Sequence, residues 1–429
     1  MSNKNKIKRL RKKYISPSFS LSYNEPLNIV RGKGQYLYDN KGKKYLDGIN
    51  NIQHVGHSHP KVLEAATKQL KKLNTNTRYL DETIVKYAQE LTKRLPEKLN
   101  MCFFTNSGSE SNDLALRLAR TYTKSNETIV LEGAYHGHLI SLIEISPYKF
   151  NGPGGLGAPK HVHVSPIPDI FRGKFRSNNA SELYENEIKK IILEIENTGG
   201  KVSSFISESI MGCGGQIIPP KTFLKNTYDL IHKSGGLCIA DEVQIGFGRM
   251  GSHYWGFETQ NIVPDIVTLG KSMGNGHPIS ALITTEEIAE TFDNGMEYFN
   301  SFGGNPVSCA IGHAVLNIID EEELQANALS IGALLKKLLN ELKNNHSIIG
   351  DIRGMGLFLG IELVNNREEL KPLTKTADLA INKMKERGIL LSTDGQNHNV
   401  IKIKPPMVFN KENAYYIAEN LDLVLSNIE

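Results

Sequence analysis

Cysteine is scarce in this sequence. Four occur in 429 residues, at Cys102, Cys213, Cys238 and Cys309, and no two form a Cys-x-x-Cys pair. A thiolate metal knuckle is not expected. Cys102 and Cys238 lie in apolar runs and read as small core residues, which fits a reducing cytoplasm. Long apolar runs are also missing: nothing approaches the roughly 20 residues that span a bilayer. The first 13 residues hold no apolar h-region, so no secretory signal is read. Excess charge is missing too, once one short stretch is set aside. Residues 1–13 carry seven of the 50 Lys and Arg and no acid, and the other 43 stand against 46 Asp and Glu. The net +4 therefore belongs to the N-terminus. It reads as a solvated, poorly ordered basic tail rather than a nucleic-acid or membrane contact.

A chain of this length is expected to form two or three lobes. Gly34–Gly42 reads as a hairpin with Asn40 and Gly42 in its turn. From about residue 83, helical stretches alternate with short apolar runs: Met101–Phe104, Thr128–Leu131, Ser141–Ile145, Ser204–Ile206, Leu237–Ala240 and Ile266–Leu269. That alternation predicts an α/β domain with a mostly parallel sheet. Beyond Pro306 the pattern turns helical, with apolar residues at helical spacing over Ala328–Leu342. Strands near Gly356–Leu363 and Val400–Ile403 and a helix over Lys411–Ile428 complete a smaller α+β lobe.

Lys271 and Asp241 carry the most chemistry. Each stands at the exit of a predicted buried strand. Pyridoxal phosphate requires both types, a lysine for a Schiff base and a carboxylate for its pyridinium nitrogen. The structural alternatives are a strand-end lysine and a salt-bridged aspartate. Thr105-Asn106-Ser107-Gly108-Ser109-Glu110 opens a helix after a strand. Small donors at a helix N-terminus suit a phosphate, and also suit an ordinary N-cap. Tyr135, after Thr128–Leu131, is either a ring that stacks on a flat cofactor or a core aromatic with loop histidines beside it. His54, His57 and His59 cluster in one loop. No cysteine or paired carboxylate completes a metal site there, so a polar loop is expected and no metal is assigned. His161 and His163, alternating on one strand face, are treated the same way.

Taken in order, these segments resemble the class III aminotransferases, pyridoxal phosphate enzymes of fold type I. Ala240-Asp241-Glu242-Val243-Gln244-Ile245-Gly246-Phe247-Gly248-Arg249 is similar to the family signature. The resemblance implies roles residue by residue. Ser107, Gly108 and Ser109 would cradle the cofactor phosphate, and Tyr135 would stack on the ring with His136 beside it. Glu208 and Gln244 would lie near the cofactor, Asp241 would hold the pyridinium nitrogen and Lys271 would bind the aldehyde carbon. Ser301 stands where the family has Thr, a residue that reaches the neighbouring subunit's cofactor. The implied assembly is a homodimer with shared sites, with tetramers left open. The implied division is 1–75 and 326–429 in a small domain built from both chain ends, and 76–325 in the large cofactor-binding domain. The resemblance begins near Leu10, which argues against a cleaved transit peptide.

Several stretches resemble one branch, the ethanolamine-phosphate and phosphohydroxylysine phospho-lyases. They include Asn50-Asn51-Ile52-Gln53-His54-Val55-Gly56-His57, Ile145-Ser146-Pro147-Tyr148-Lys149-Phe150 and Lys402-Ile403-Lys404-Pro405-Pro406-Met407. That branch eliminates phosphate from a phosphorylated amine instead of moving nitrogen to a keto acid. His54, Arg78 and Lys404 are the candidates for holding the substrate phosphate. Lys404 stands where many transaminases carry Arg, a substitution that favours a phosphate over a planar carboxylate.

Overall fold

The computed structural model describes residues 3–428. Its centre is a seven-stranded sheet formed by β1 (Met101–Thr105), β2 (Glu127–Leu131), β3 (Val162–Ser165), β4 (Val202–Ser207), β5 (Leu237–Asp241), β6 (Ile266–Leu269) and β7 (Ser280–Thr284). The order is β1-β7-β6-β5-β4-β2-β3. All neighbours pair in parallel except β7, which is antiparallel to both β1 and β6. β4 and β5 are buried along their whole length. That explains why β5 reads as a continuous apolar run rather than as alternation, while β4 buries Ser203, Ser204 and Ser207 beside Val202, Phe205 and Ile206. The chain steps from β1 at one edge to β2 and β3 at the other, then returns. The carboxyl ends beside such a reversal are where an open α/β sheet binds its ligand.

Two smaller sheets flank this core. Ile29–Lys33, Tyr36–Asp39 and Lys44–Asp47 form an antiparallel meander, which includes the expected hairpin turn. Ile389–Leu390 extends it, parallel to Lys44–Asp47. The second sheet is antiparallel throughout, in the order Ile349–Met355, Phe358–Leu363, Val400–Ile403, Ser392–Asp394. The two chain ends also meet where Lys404 N donates to Gly48 O (2.7 Å) and Met407 N to His54 O (2.8 Å).

Two expectations need correction. Ser141–Ile145 is not a strand: Ile140–Glu144 is a short helix. Leu142 and Ile145 are buried while Ile140 and Ile143 face solvent, a helical spacing that a five-residue apolar run does not reveal. The basic N-terminus is not an open tail either, since Asn3–Tyr14 is a helix. Arg11, Lys12 and Lys13 fall in its last turn, where cations favour the helix dipole. Lys4 and Lys8 pair with Glu25 at 2.9 and 3.7 Å, and Arg11 donates to Phe19 O. Met1 and Ser2 lie outside the described residues.

Candidate active site

The site assembles at the carboxyl ends of β1, β2, β5 and β6. Helix α1 (Gly108–Thr123) starts directly after β1, and Ser107 caps it. The Ser107 hydroxyl accepts from Glu110 N (3.2 Å), and the Ser109 hydroxyl accepts from His138 N (3.2 Å). Gly108 and Gly270 let the backbones close in. A Cβ at Gly108 would come within 2.8 Å of Val243 Cγ1. A Cβ at Gly270 would lie 3.3 Å from Gly108 N and 3.1 Å from Val243 Cγ1. The segment entering Lys271, the start of α1 and the turn after Asp241 therefore touch at one point. The half-buried Lys271 makes no side-chain hydrogen bond or ion pair among the described residues.

Asp241 is buried and held from three directions. Val243 N donates to its Oδ1 (3.1 Å), while His136 Nδ1 (2.8 Å) and Asn112 Nδ2 (2.9 Å) donate to its Oδ2. A carboxylate only accepts, so Nδ1 carries the imidazole proton. That leaves His136 Nε2 buried without a partner. Nothing in the sequence singles out Asn112. It lies one turn into α1, its Nδ2 also donates to His136 O (2.8 Å), and its Oδ1 accepts from Thr268 Oγ1 (2.5 Å). It ties α1, β6 and the Tyr135–His136 loop to the aspartate.

A second polar chain runs to the C-terminal sheet. Gln244 Nε2 donates to Glu208 Oε1 (3.0 Å), and Gln244 Oε1 accepts from Lys404 Nζ (3.3 Å). Lys404 is buried and also donates to Asp394 Oδ2 (2.9 Å), which takes a further bond from Gln216 Nε2 (2.8 Å). Lys402 donates to Asp394 Oδ1 (2.8 Å). Burial would raise the Asp394 carboxyl, but Lys404 and Lys402 hold it below its ordinary value. Burial pushes Lys404 down against the pull of Asp394. Burial and then the charge of Asp241 raise Glu208 to about 7, and its Oε2 is a buried atom without a partner. Asp394, like Asn112, is not flagged by any sequence motif.

Tyr135 is half-buried in the loop after β2, its ring edge-on to Tyr148. Ser301 is exposed. The preceding Asn300 anchors its loop to the first turn of α1 through Asn106 and Glu110. The expected substrate residues do not stay together. Lys404 joins the network above. His54 does not, and its expected substrate role is corrected. Its ring is fully buried, Nε2 donates to Phe247 O (2.8 Å) and Nδ1 accepts from Arg249 (3.2 Å). Burial, and then the Arg249 charge, lower it to about 3. Its neighbours go elsewhere, His57 to Asp47 (2.6 Å) and His59 to Glu322 (3.0 Å). Arg78 is exposed. It donates to Glu297 (2.8 Å) and lies over the Phe299 ring.

Residues 19–425 match the family model "Aminotransferase class-III". The chain belongs to the class III aminotransferase family. A Drosophila melanogaster relative named Alanine–glyoxylate aminotransferase 2-like is 52% identical, over 95% of this chain and 84% of the relative. Ethanolamine-phosphate phospho-lyase homolog 1 of Caenorhabditis elegans is 43% identical, over 99% and 94%. The solved structure of a phospholyase from Arthrobacter in complex with phosphoethanolamine superposes with a TM-score of 0.93 at 38% identity, over 98% and 99%. Such enzymes use pyridoxal phosphate, and the residues present here fit it. An unpaired lysine amine, an anchored buried aspartate, a helix N-terminus and two unpartnered buried atoms, His136 Nε2 and Glu208 Oε2, converge. Among the described residues, no helix is long and apolar enough to cross a membrane.

Proposed function

We propose that this class III enzyme is a phospho-lyase that converts O-phosphoethanolamine, or a related phosphorylated amine, and water to aldehyde, ammonia and phosphate. The observation that carries this reading is the likeness, over nearly the whole chain, to a phospholyase in complex with phosphoethanolamine. The buried Lys404 adds support: Asp394 and Gln244 take two of its three N–H donors, and the third is suited to a phosphate oxygen.

Pyridoxal phosphate, when bound, supplies an electron sink. The start of α1, with Ser107, Gly108 and Ser109, would hold its phosphate, joined by Ser301 of the partner subunit in a homodimer. Tyr135 would cover its ring, with His136, Glu208 and Gln244 beside it. Asp241 would keep the ring nitrogen protonated, and His136 and Asn112 aim that carboxylate. Lys271 Nζ takes the proton from the substrate carbon bearing nitrogen. The electron pair left there expels the phosphate from the neighbouring carbon as its C–O bond breaks, and water converts the remainder to aldehyde and ammonia. Lys404 would offer its charge to the leaving phosphate, and Arg78 stands with the Ser301 loop. The four unpaired thiols suit a cytoplasmic setting.

A second reading, transamination onto a keto acid, is favoured by the 52% identical relative and its name. Incubating the holoenzyme with phosphoethanolamine and no keto acid separates the two. Catalytic release of phosphate and acetaldehyde is expected. Turnover that appears only when pyruvate or 2-oxoglutarate is added would overturn the proposal.

A further inference from the structure

The mouth of the site carries a cation that the chemistry above does not use. Lys149 lies on the short helix Pro147–Phe150, behind the Tyr135 loop. Its Nζ is 5.6 Å from the ring centroid of Tyr135 and 5.6 Å from that of Tyr148. It has no side-chain hydrogen bond and no acidic partner among the described residues. Lys149 is exposed, and its ammonium lies within cation–π range of both rings while keeping its N–H donors free.

A second element comes from the opposite side. The loop between Ser392–Asp394 and Val400–Ile403 packs against Gly133, with Gln396 Nε2 3.4 Å from where a Cβ on that glycine would lie. In the same loop His398 adopts a left-handed backbone, φ +50°, closed by His398 N donating to Gly395 O (3.0 Å). A non-glycine residue in that region carries strain that the surrounding structure must hold. The conformation sets the His398 ring 6.0 Å from Tyr148, edge to face. Tyr148 is thus flanked by Lys149 and His398, which come from segments some 250 residues apart. Asp394, at the start of the same loop, is already engaged by Lys402, Lys404 and Gln216. Among the described residues neither Lys149 nor His398 makes an ion pair.

We propose that Lys149, with His398 across Tyr148, receives the phosphate of the substrate at the mouth of the site and so selects phosphorylated over neutral amines. This inference rests on the phospho-lyase reading. Lys149 supplies a point charge, His398 a second N–H donor, and Lys404 waits deeper in the site. An amine without the anion gains nothing from the pair.

The test uses holoenzyme and a ligand that cannot lose phosphate. In aminopropylphosphonate a methylene replaces the ester oxygen, so no phosphate can leave. Propylamine is its twin without the phosphonate. Calorimetric titration of wild type should show tighter binding of the phosphonate. Lys149→Met keeps the apolar stem over the rings and drops the charge. It should weaken phosphonate binding about tenfold, the order of one charged contact, and leave propylamine unchanged. Lys149→Arg should recover most of the loss, and His398→Ala should weaken the phosphonate alone by about threefold. Equal weakening for both amines, or none for either, overturns the proposal. If wild type prefers the phosphonate and Lys149→Met removes that preference, yet phosphoethanolamine yields no phosphate, the phospho-lyase reading fails and the phosphate contact stands. If wild type does not distinguish the two ligands, both fall.

Discussion

Removing the Asn112 side chain tests the site most directly, because three elements meet on it. Asn112→Ala deletes a hydrogen bond to a carboxylate, one to the His136 carbonyl and one from the Thr268 hydroxyl. Bonds to charged groups contribute about 1.5–3 kcal/mol, and a buried polar group left unpaired costs about 1–3 kcal/mol. Asp241 keeps His136 and the Val243 N–H, so its share falls at the low end. The His136 carbonyl and the Thr268 hydroxyl each lose the partner seen here. The sum is a destabilisation of about 3–5 kcal/mol. Thr268→Val removes only one of the three bonds and should cost about 1–2 kcal/mol.

The stability loss is read by urea unfolding of the holoenzyme. The functional loss is read by retention of the cofactor on gel filtration, because Asp241 and the His136 loop should drift when their common tie is cut. Asn112→Asp sharpens the case. It keeps the shape but sets a second carboxylate where a donor stood 2.9 Å from Asp241. One of the two must then take a proton or the pair must separate. An Asn112→Ala protein that unfolds within 1 kcal/mol of wild type and keeps both cofactor and turnover would refute the idea that this residue organises the site.

Lys271→Ala should lose the visible absorbance of the bound cofactor together with all turnover; a variant that keeps either rejects the assignment of that lysine. Gly108→Ala would press a methyl against Val243, and overpacking of this kind should weaken cofactor binding about tenfold or more; reconstitution of the apoenzyme at unchanged affinity would show that the cradle is looser than described. His54, lowered to about 3 by burial, binds fewer protons folded than unfolded, so stability should fall as pH drops from about 6.5 towards 3. By pH 5 the loss is about 2 kcal/mol relative to pH 7. His54→Gln should remove that slope from the urea-unfolding profile, and an unchanged slope would mean that His54 is not its source.

The large sheet is legible chiefly through its central strands β5 and β6, which are buried along their length and leave short, largely apolar runs. β7 escapes notice: it is a short apolar run of the ordinary kind, and its antiparallel place between β1 and β6 is a tertiary fact. Ser141–Ile145 misleads for the opposite reason, since a five-residue apolar run satisfies strand and helix alike. The basic N-terminus misleads because composition counts charges and not partners; Glu25, which pairs with Lys4 and Lys8, lies beyond the stretch whose charge was counted.

Within the site, the residues that motifs expose are those whose chemistry is rare at a strand exit, Lys271 and Asp241 above all. Those that motifs conceal are the supports. Asn112 is one polar residue among several in α1, and Asp394 is one acid among many. Each acquires a role only when the fold places it against a charge made costly by burial. His54 fails as a substrate ligand by the same logic. Its loop looks polar in sequence, yet Arg249 and the Phe247 carbonyl use both ring nitrogens, and burial keeps the ring neutral. A residue's type limits what it can do, but the partners supplied by distant segments decide which of those things it does. For that reason Lys149, whose rings come from its own helix and from the loop after β2 but whose opposite number arrives from residue 398, is a sharper test of substrate choice than the histidine loop that drew attention first.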